Sequence, residues 1–195
     1  MSGDAELMGR VQAGDEAALG ALMERWELPV KGLIARIVLN ASEAEELAQE
    51  TFVRVWQQRE KFRPGAEFRP WVFSIAVNLA RNRLRWWRRR PTVALQEWDE
   101  TEDGARSTDG QAKGGTGEVT GTTALERAER AVAVREAIAA LPVELREAIV
   151  LFEYEEMSHA EIAVTAGCTV KAVESRVARA REKLRGALKR WVEAE

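Results

Sequence analysis

Apolar residues recur at the three- and four-residue spacing of helices along two stretches of the chain, separated by a polar, glycine-rich segment. The first stretch, roughly residues 4 to 90, divides into successive helices. Asp15 is placed to cap one that runs through Ala17, Ala18, Leu19, Leu22 and Met23 toward Trp26, and Pro29 is expected to interrupt it. A second apolar segment follows from Val30 to Leu39. Asn40 and Ser42 then offer N-caps, and Glu43, Glu45 and Glu46 sit in the first turn of a third helix that reaches about Lys61. Phe62 to Phe68, with Pro64 and Gly65, predicts a loop, and Pro70 suits the first turn of a fourth helix ending near Arg90. Helical pattern returns at about Ala124 and continues to the C-terminus, with breaks at Pro142 and near Gly167. The fold class is therefore all-α: two small helical domains, 1–95 and 124–195, joined by a flexible linker over 96–123.

The helical period also separates faces that pack from faces that do not. In the third helix Ala44, Leu47, Ala48, Thr51, Phe52 and Val55 form one core stripe. Val53 falls opposite, ringed by Glu46, Gln49, Glu50 and Gln57, and Trp56 borders the stripe. Periodicity alone leaves two readings of that outer face, a solvated surface or an acidic protein-docking surface with a small apolar centre. In the fourth helix Val72, Phe73, Ile75, Ala76, Leu79 and Leu84 fill one side, while Trp71, Ser74, Asn78, Arg81, Asn82 and Arg85 gather on the other. From Arg69 to Arg90 there are seven arginines and no acid, with Trp86 and Trp87 among them. Arginines neutralise phosphates, aromatic rings stack on unpaired bases and amides read base edges, so this face predicts nucleic-acid binding.

A third face lies near the C-terminus. Ser158 and Glu161 can form a capping box for one helix, Gly167 supplies a turn, and Thr169 caps the next. Val170, Val173, Val177, Ala180 and Leu184 make the apolar stripe of that second helix. Lys171, Ser175, Ala178 and Arg179 lie opposite it, with Glu174 and Arg176 at the flanks. The order is that of a helix-turn-helix, and from Lys171 to Arg190 eight basic residues face two acids.

Composition changes this picture little. The 195 residues are 46% hydrophobic and 31% charged, and the net charge of −3 conceals the segregation of the charges. The 28 residues from Gln96 to Thr123 hold six glycines and a cluster of acids at Glu97, Asp99, Glu100, Glu102 and Asp103, a composition too poor in apolar surface to order itself. One cysteine, Cys168, and one histidine, His159, leave no intrachain disulfide, no metal site and no nucleophile–base pair to build on, so no enzyme activity and no cofactor are expected. No apolar run approaches the roughly 18 residues of a membrane helix, and Met1 to Arg10 lacks the pattern of a signal peptide, so no membrane insertion and a cytoplasmic location are expected.

Taken together, these blocks resemble the extracytoplasmic-function group of the sigma-70 family of RNA polymerase sigma factors. Gly14-Asp15-Glu16-Ala17-Ala18-Leu19 is similar to that family's opening helix, and the run from Ser42 to Trp56 to its polymerase-binding helix. The run from Phe68 to Asn82 resembles its promoter −10 segment. Leu141-Pro142, Arg146-Glu147, Met157 to Ala163, Ala172 to Arg176 and Arg179 to Arg181 resemble its −35 domain. The resemblance implies that Glu46, Gln49, Glu50, Val53 and Trp56 grip the core polymerase. It implies that the loop from Phe62 to Phe68 helps form a pocket for a flipped −10 base, with Asn78, Arg81, Asn82 and Arg85 along the strand and Trp71 meeting either DNA or the core. It implies −35 readout by Lys171, Glu174, Ser175, Arg176 and Arg179, where Glu174 stands at a site often basic in relatives. Core RNA polymerase, promoter DNA and an anti-sigma protein are the partners implied. A stand-alone helix-turn-helix regulator is the alternative, and it leaves the third and fourth helices without a task.

Overall fold

The computed structural model describes residues 3–89 and 121–192, and every regular element among them is helical. Helices α1 (Asp4–Gln12), α2 (Glu16–Val38), α3 (Ala41–Gln57) and α4 (Phe68–Arg89) form an N-terminal bundle, with a 3-10 turn at Arg59–Lys61 between α3 and α4. Helices α5 (Gly121–Ala139), α6 (Val143–Glu153), α7 (His159–Ala166), α8 (Val170–Ala187) and the short α9 (Lys189–Val192) form the C-terminal one. Of the expected linker, 96–120 lies outside the described residues and 121–123 already belong to α5.

Local chemistry sets the boundaries. Asp15 caps α2 by accepting the Ala18 N–H, and the Arg10 guanidinium beside it holds its carboxyl below the usual carboxylate range. Asn40, not Ser42, caps α3 by accepting the Glu43 N–H at 2.9 Å. The expected break at Pro29 is absent: α2 runs unbroken for 23 residues. Proline removes one N–H from the ladder, but Leu22, Val30, Leu33, Ile34 and Ile37 bury one continuous stripe on both sides of it, and packing outweighs the lost bond. The α1 helix was not singled out by the sequence, although Leu7, Met8 and Val11 carry its buried face.

The third-helix stripe is buried throughout, from Ala44 to Val55. On α4 the buried positions are Phe68, Pro70, Val72, Phe73, Ala76, Val77 and Ala80, so the core face is centred closer to Val77 and Ala80 than expected, and Ile75, Leu79 and Leu84 are half-buried. The reason is that α4 packs on two sides. It touches α2 and α3 within its own bundle and α7 across the seam, while α2 also touches α6. Both bundles thus share one continuous apolar core.

In the C-terminal bundle Ser158 and Glu161 form the expected capping box, Gly167 takes the left-handed turn at φ 64°, and Thr169 caps α8. Val173, Val177 and Ala180 are buried and Leu184 is half-buried, whereas Val170 is exposed. Ser158→Ala is expected to lower the unfolding free energy by about 1 kcal/mol, measured by urea denaturation. Hydrogen bonds from Ser158 depress the Glu161 carboxyl below its ordinary 4.5. A depressed carboxylate adds stability at higher pH, which is lost as the pH falls below 4.5 and through the folded value. Denaturation midpoints of Glu161→Gln should therefore fall less steeply than those of the parent chain across that acid range.

Candidate nucleic-acid interface

The outer face of α3 is the simplest of the three surfaces. Val53 is 47% exposed, and Glu46 and Gln49 are exposed around it. Glu50 pairs with Arg54 one turn on at 2.6 Å. Trp56 is half-buried with the Arg59 guanidinium 4.5 Å over its ring. All five expected residues lie on one helix.

In the loop before α4, which is expected to help form a pocket for a flipped base, the two phenylalanine rings turn inward. Phe62 and Phe68 are 4% and 2% exposed. They meet each other edge to face, Phe62 meets Trp71 in the same way and Phe68 meets it at a tilt, and Phe68 continues the cluster to Trp26. Gln12 of α1 donates to the Phe62 and Arg59 carbonyls at 2.8 and 2.9 Å and so fixes the loop from below. Phe62 and Phe68 shape the loop rather than line its surface, and half-buried Trp71 joins their cluster. Gln12 was not picked out, because a single glutamine at a helix end carries no periodic signal.

The arginines of α4 divide into two kinds. Arg81 donates three hydrogen bonds of 2.6 to 2.9 Å to the carboxylate of Glu147 on α6 and a fourth to the Ala166 carbonyl at the end of α7. Glu147 is 1% exposed, and burial pushes its carboxyl up against the opposing pull of Arg81. The same pair holds the Arg81 guanidinium above its ordinary value against burial. Arg83 pairs with Glu43 of α3. Arg85, Arg88 and Arg89 are exposed, as are Asn78 and Asn82. The expected strand-facing group is therefore split: Asn78, Asn82 and Arg85 are open to solvent, and Arg81 is committed to the other bundle.

On α8, Lys171, Glu174, Ser175 and Arg179 are exposed and ride on the buried Val173, Val177 and Ala180. Arg176 is half-buried, 3.6 Å from Glu144 and 3.5 Å from the Cys168 sulfur. The surfaces of α4 and α8 confront each other across one cleft of about 710 Å³, lined on one side by Arg81, Arg85 and Arg88 and on the other by Arg176, Arg179 and Lys183. Glu144 and Glu147 are its acids. A second pin closes the seam at its far end, where Arg146 of α6 donates to the Ile37 carbonyl of α2 at 2.8 Å and to the Leu141 carbonyl at 3.1 Å. Burial lowers the Arg146 guanidinium, whose hydrogen bonds in the structure go to backbone oxygens. No described helix is long and apolar enough to cross a membrane. No group of three or more His, Cys, Asp or Glu among the described residues is placed to hold a metal ion.

The sequence matches the families described as Sigma-70 region 2 over residues 22–90 and Sigma-70, region 4 over residues 131–184. It is 36% identical to the RNA polymerase sigma-H factor of Pseudomonas aeruginosa, over 95% of this chain and 93% of that protein. It is 34% identical to the ECF RNA polymerase sigma-E factor of Escherichia coli, over 92% of this chain and 91% of that one. The fold is similar to that of CnrH, solved in complex with the cytosolic domain of CnrY, with a TM-score of 0.66, 27% identity, and coverage of 95% of this chain and 97% of CnrH. It is also similar in fold to the sigma factor RpoE of Bartonella quintana, solved with the anti-sigma factor NepR, with a TM-score of 0.65, 21% identity, and coverage of 87% and 96%. With both family regions in order on one helical chain, and relatives matched nearly end to end, the chain belongs to the extracytoplasmic-function group of the sigma-70 family of RNA polymerase sigma factors.

Proposed function

We propose that this chain acts in the cytoplasm as an alternative sigma factor, without enzymatic activity of its own, and that it brings core RNA polymerase to a set of promoters. The observation that carries the reading is the presence, in one chain, of an arginine-rich α4 face and a helix-turn-helix face on α8. A stand-alone regulator needs only the second. Residues 1–95 serve as the domain that binds polymerase and takes the −10 element as a single strand, and residues 124–195 serve as the −35 domain, with 96–123 as the connector.

Each surface suits its task chemically. Val53 offers an apolar centre and Glu46, Gln49 and Glu50 a polar rim, the usual anatomy of a protein interface. Asn78 and Asn82 present amides that bond base edges, and Arg85 presents a charge for phosphate, one turn apart on α4. The buried Phe62 and Phe68, clustered with half-buried Trp71, keep the loop before α4 rigid beside them. On α8, small Ser175 lets the helix approach the major groove, while Lys171, Arg176 and Arg179 supply cations and Glu174 can accept from a cytosine amino group. An anti-sigma protein that covers these faces is the further partner we propose.

Co-purification with core polymerase followed by transcription from promoter DNA tests the reading as a whole, and tight specific duplex binding with no polymerase association would favour the regulator. Val53→Glu places a charge in the centre of the α3 surface and should weaken polymerase association about tenfold or more in a sedimentation assay, with helicity unchanged. Association at the parent level would remove α3 from the interface. Lys171→Ala should lower affinity for −35 duplex about equally on all sequences and reduce the slope of log K against log salt by about one.

A further inference from the structure

The seam between the bundles has a geometry that promoter binding does not allow. In the proposed function α4 and α8 engage DNA elements about two helical turns, or ~70 Å, apart. In the structure the two helices face each other across a single cleft, and Arg81 of the −10 face lies 2.6 Å from Glu147 of the −35 domain. Both arrangements cannot hold at once, so the seam must part.

What closes the seam is also what must be given up. The Arg81 guanidinium is a planar fork of donors, which a carboxylate fills in the way a phosphate does. Glu147 fills it with three hydrogen bonds, and the Ala166 carbonyl takes a fourth. Thr165 of α7 donates to the Pro70 carbonyl at 3.4 Å, and Arg146 pins α6 to the end of α2. Against these contacts stand Arg85 and Arg88 facing Arg179 and Lys183, cations that repel across the cleft. The seam is held by these bonds together with the apolar core that the bundles share, against an opposing field, so its closed form is a balance of opposed contributions.

We propose that Glu147 is a built-in phosphate mimic: in the free chain it occupies Arg81, holds the two DNA-facing helices against each other, and so competes with a single DNA strand for the α4 face. This rests on the proposed role of α4 in strand binding. A closed form favoured about tenfold lowers the apparent affinity for the strand about tenfold, and by linkage the strand opens the seam as it binds.

The test uses the full chain without polymerase, a short fluorescein-labelled single-stranded DNA of mixed sequence, and two readouts. Anisotropy gives strand affinity, and small-angle X-ray scattering gives the radius of gyration. The parent chain should expand when the strand is added in excess, and Glu147→Gln should bind the strand about tenfold more tightly and be expanded already without it. Strand binding by the parent with an unchanged radius of gyration overturns the proposal, as does a helical Glu147→Gln chain that stays compact and gains no affinity. Arg146→Gln gives a second variant, because Arg146 bonds backbone carbonyls and does not line the cleft. It should also expand the chain and tighten strand binding, and compactness at the parent affinity would count against the seam. Where Glu147→Gln gains affinity yet stays compact, the loss of a repelling charge explains it and the masking idea falls. Polymerase co-purification stands apart: its loss would sink the sigma reading, whereas its retention with a rigid seam sinks only the mimic.

Discussion

A guanidinium and a carboxylate removed from water each cost several kcal/mol unless they find one another with good geometry. Arg81 and Glu147 do so at the contact of α4, α6 and α7, and much of the molecule is arranged around that meeting. The pair sits at the margin of a core that runs continuously through both bundles. Removing one partner of such a pair typically costs about 3–5 kcal/mol, because the other is left buried and charged. Arg146 solves the same problem in another way. It spends its donors on the carbonyl oxygens of Ile37 and Leu141, oxygens at or just past helix ends that lack helical N–H partners. Two neighbouring residues of α6 therefore fix the C-terminal bundle at two points, one to α4 and one to α2.

The consequence is a chain whose charge is organised by surface rather than by composition. A net charge of −3 describes no face of the molecule. The cleft between α4 and α8 carries six cations against two acids, while the outer face of α3 presents Glu46, Gln49 and Glu50 around Val53. A polyanion and a protein surface would therefore be drawn to different sides of the N-terminal bundle. The α3 core stripe that separates these sides is buried along its whole length, so neither face can be altered by rotating the helix without exposing the core.

Periodicity revealed most of the architecture, and its failures have physical causes. The α3 stripe, the capping box at Ser158, the turn at Gly167 and the cap at Thr169 were all legible, because each is a local rule in which a few neighbouring residues determine the conformation. Pro29 misled because its cost is local and the burial on both sides of it is not. The shift of the α4 core face toward Val77 and Ala80 was illegible for a related reason: a helix packed on two sides has no single polar face to find. Phe62 and Phe68 could not be sorted from the sequence into surface or core, since aromatic rings serve both, and here they cluster with Trp71 and Trp26. Nothing in the residues around Arg146 and Glu147 says that their partners lie 109 and 66 positions away.

The absence of acids in α4 is what made its arginines look alike, and it is also what makes them different. A helix without its own carboxylates cannot pair Arg81 or Arg83 internally, so each takes a partner from another element, Glu147 of α6 and Glu43 of α3. Arg85 and Arg88 are exposed one and two turns further along the same cleft wall. A guanidinium does not distinguish a carboxylate from a phosphate by shape, only by which one is in reach. The sequence feature that marks a nucleic-acid surface thus also marks the places where such a surface can be closed by the protein itself. Which of the two is seen depends on whether the second bundle is docked.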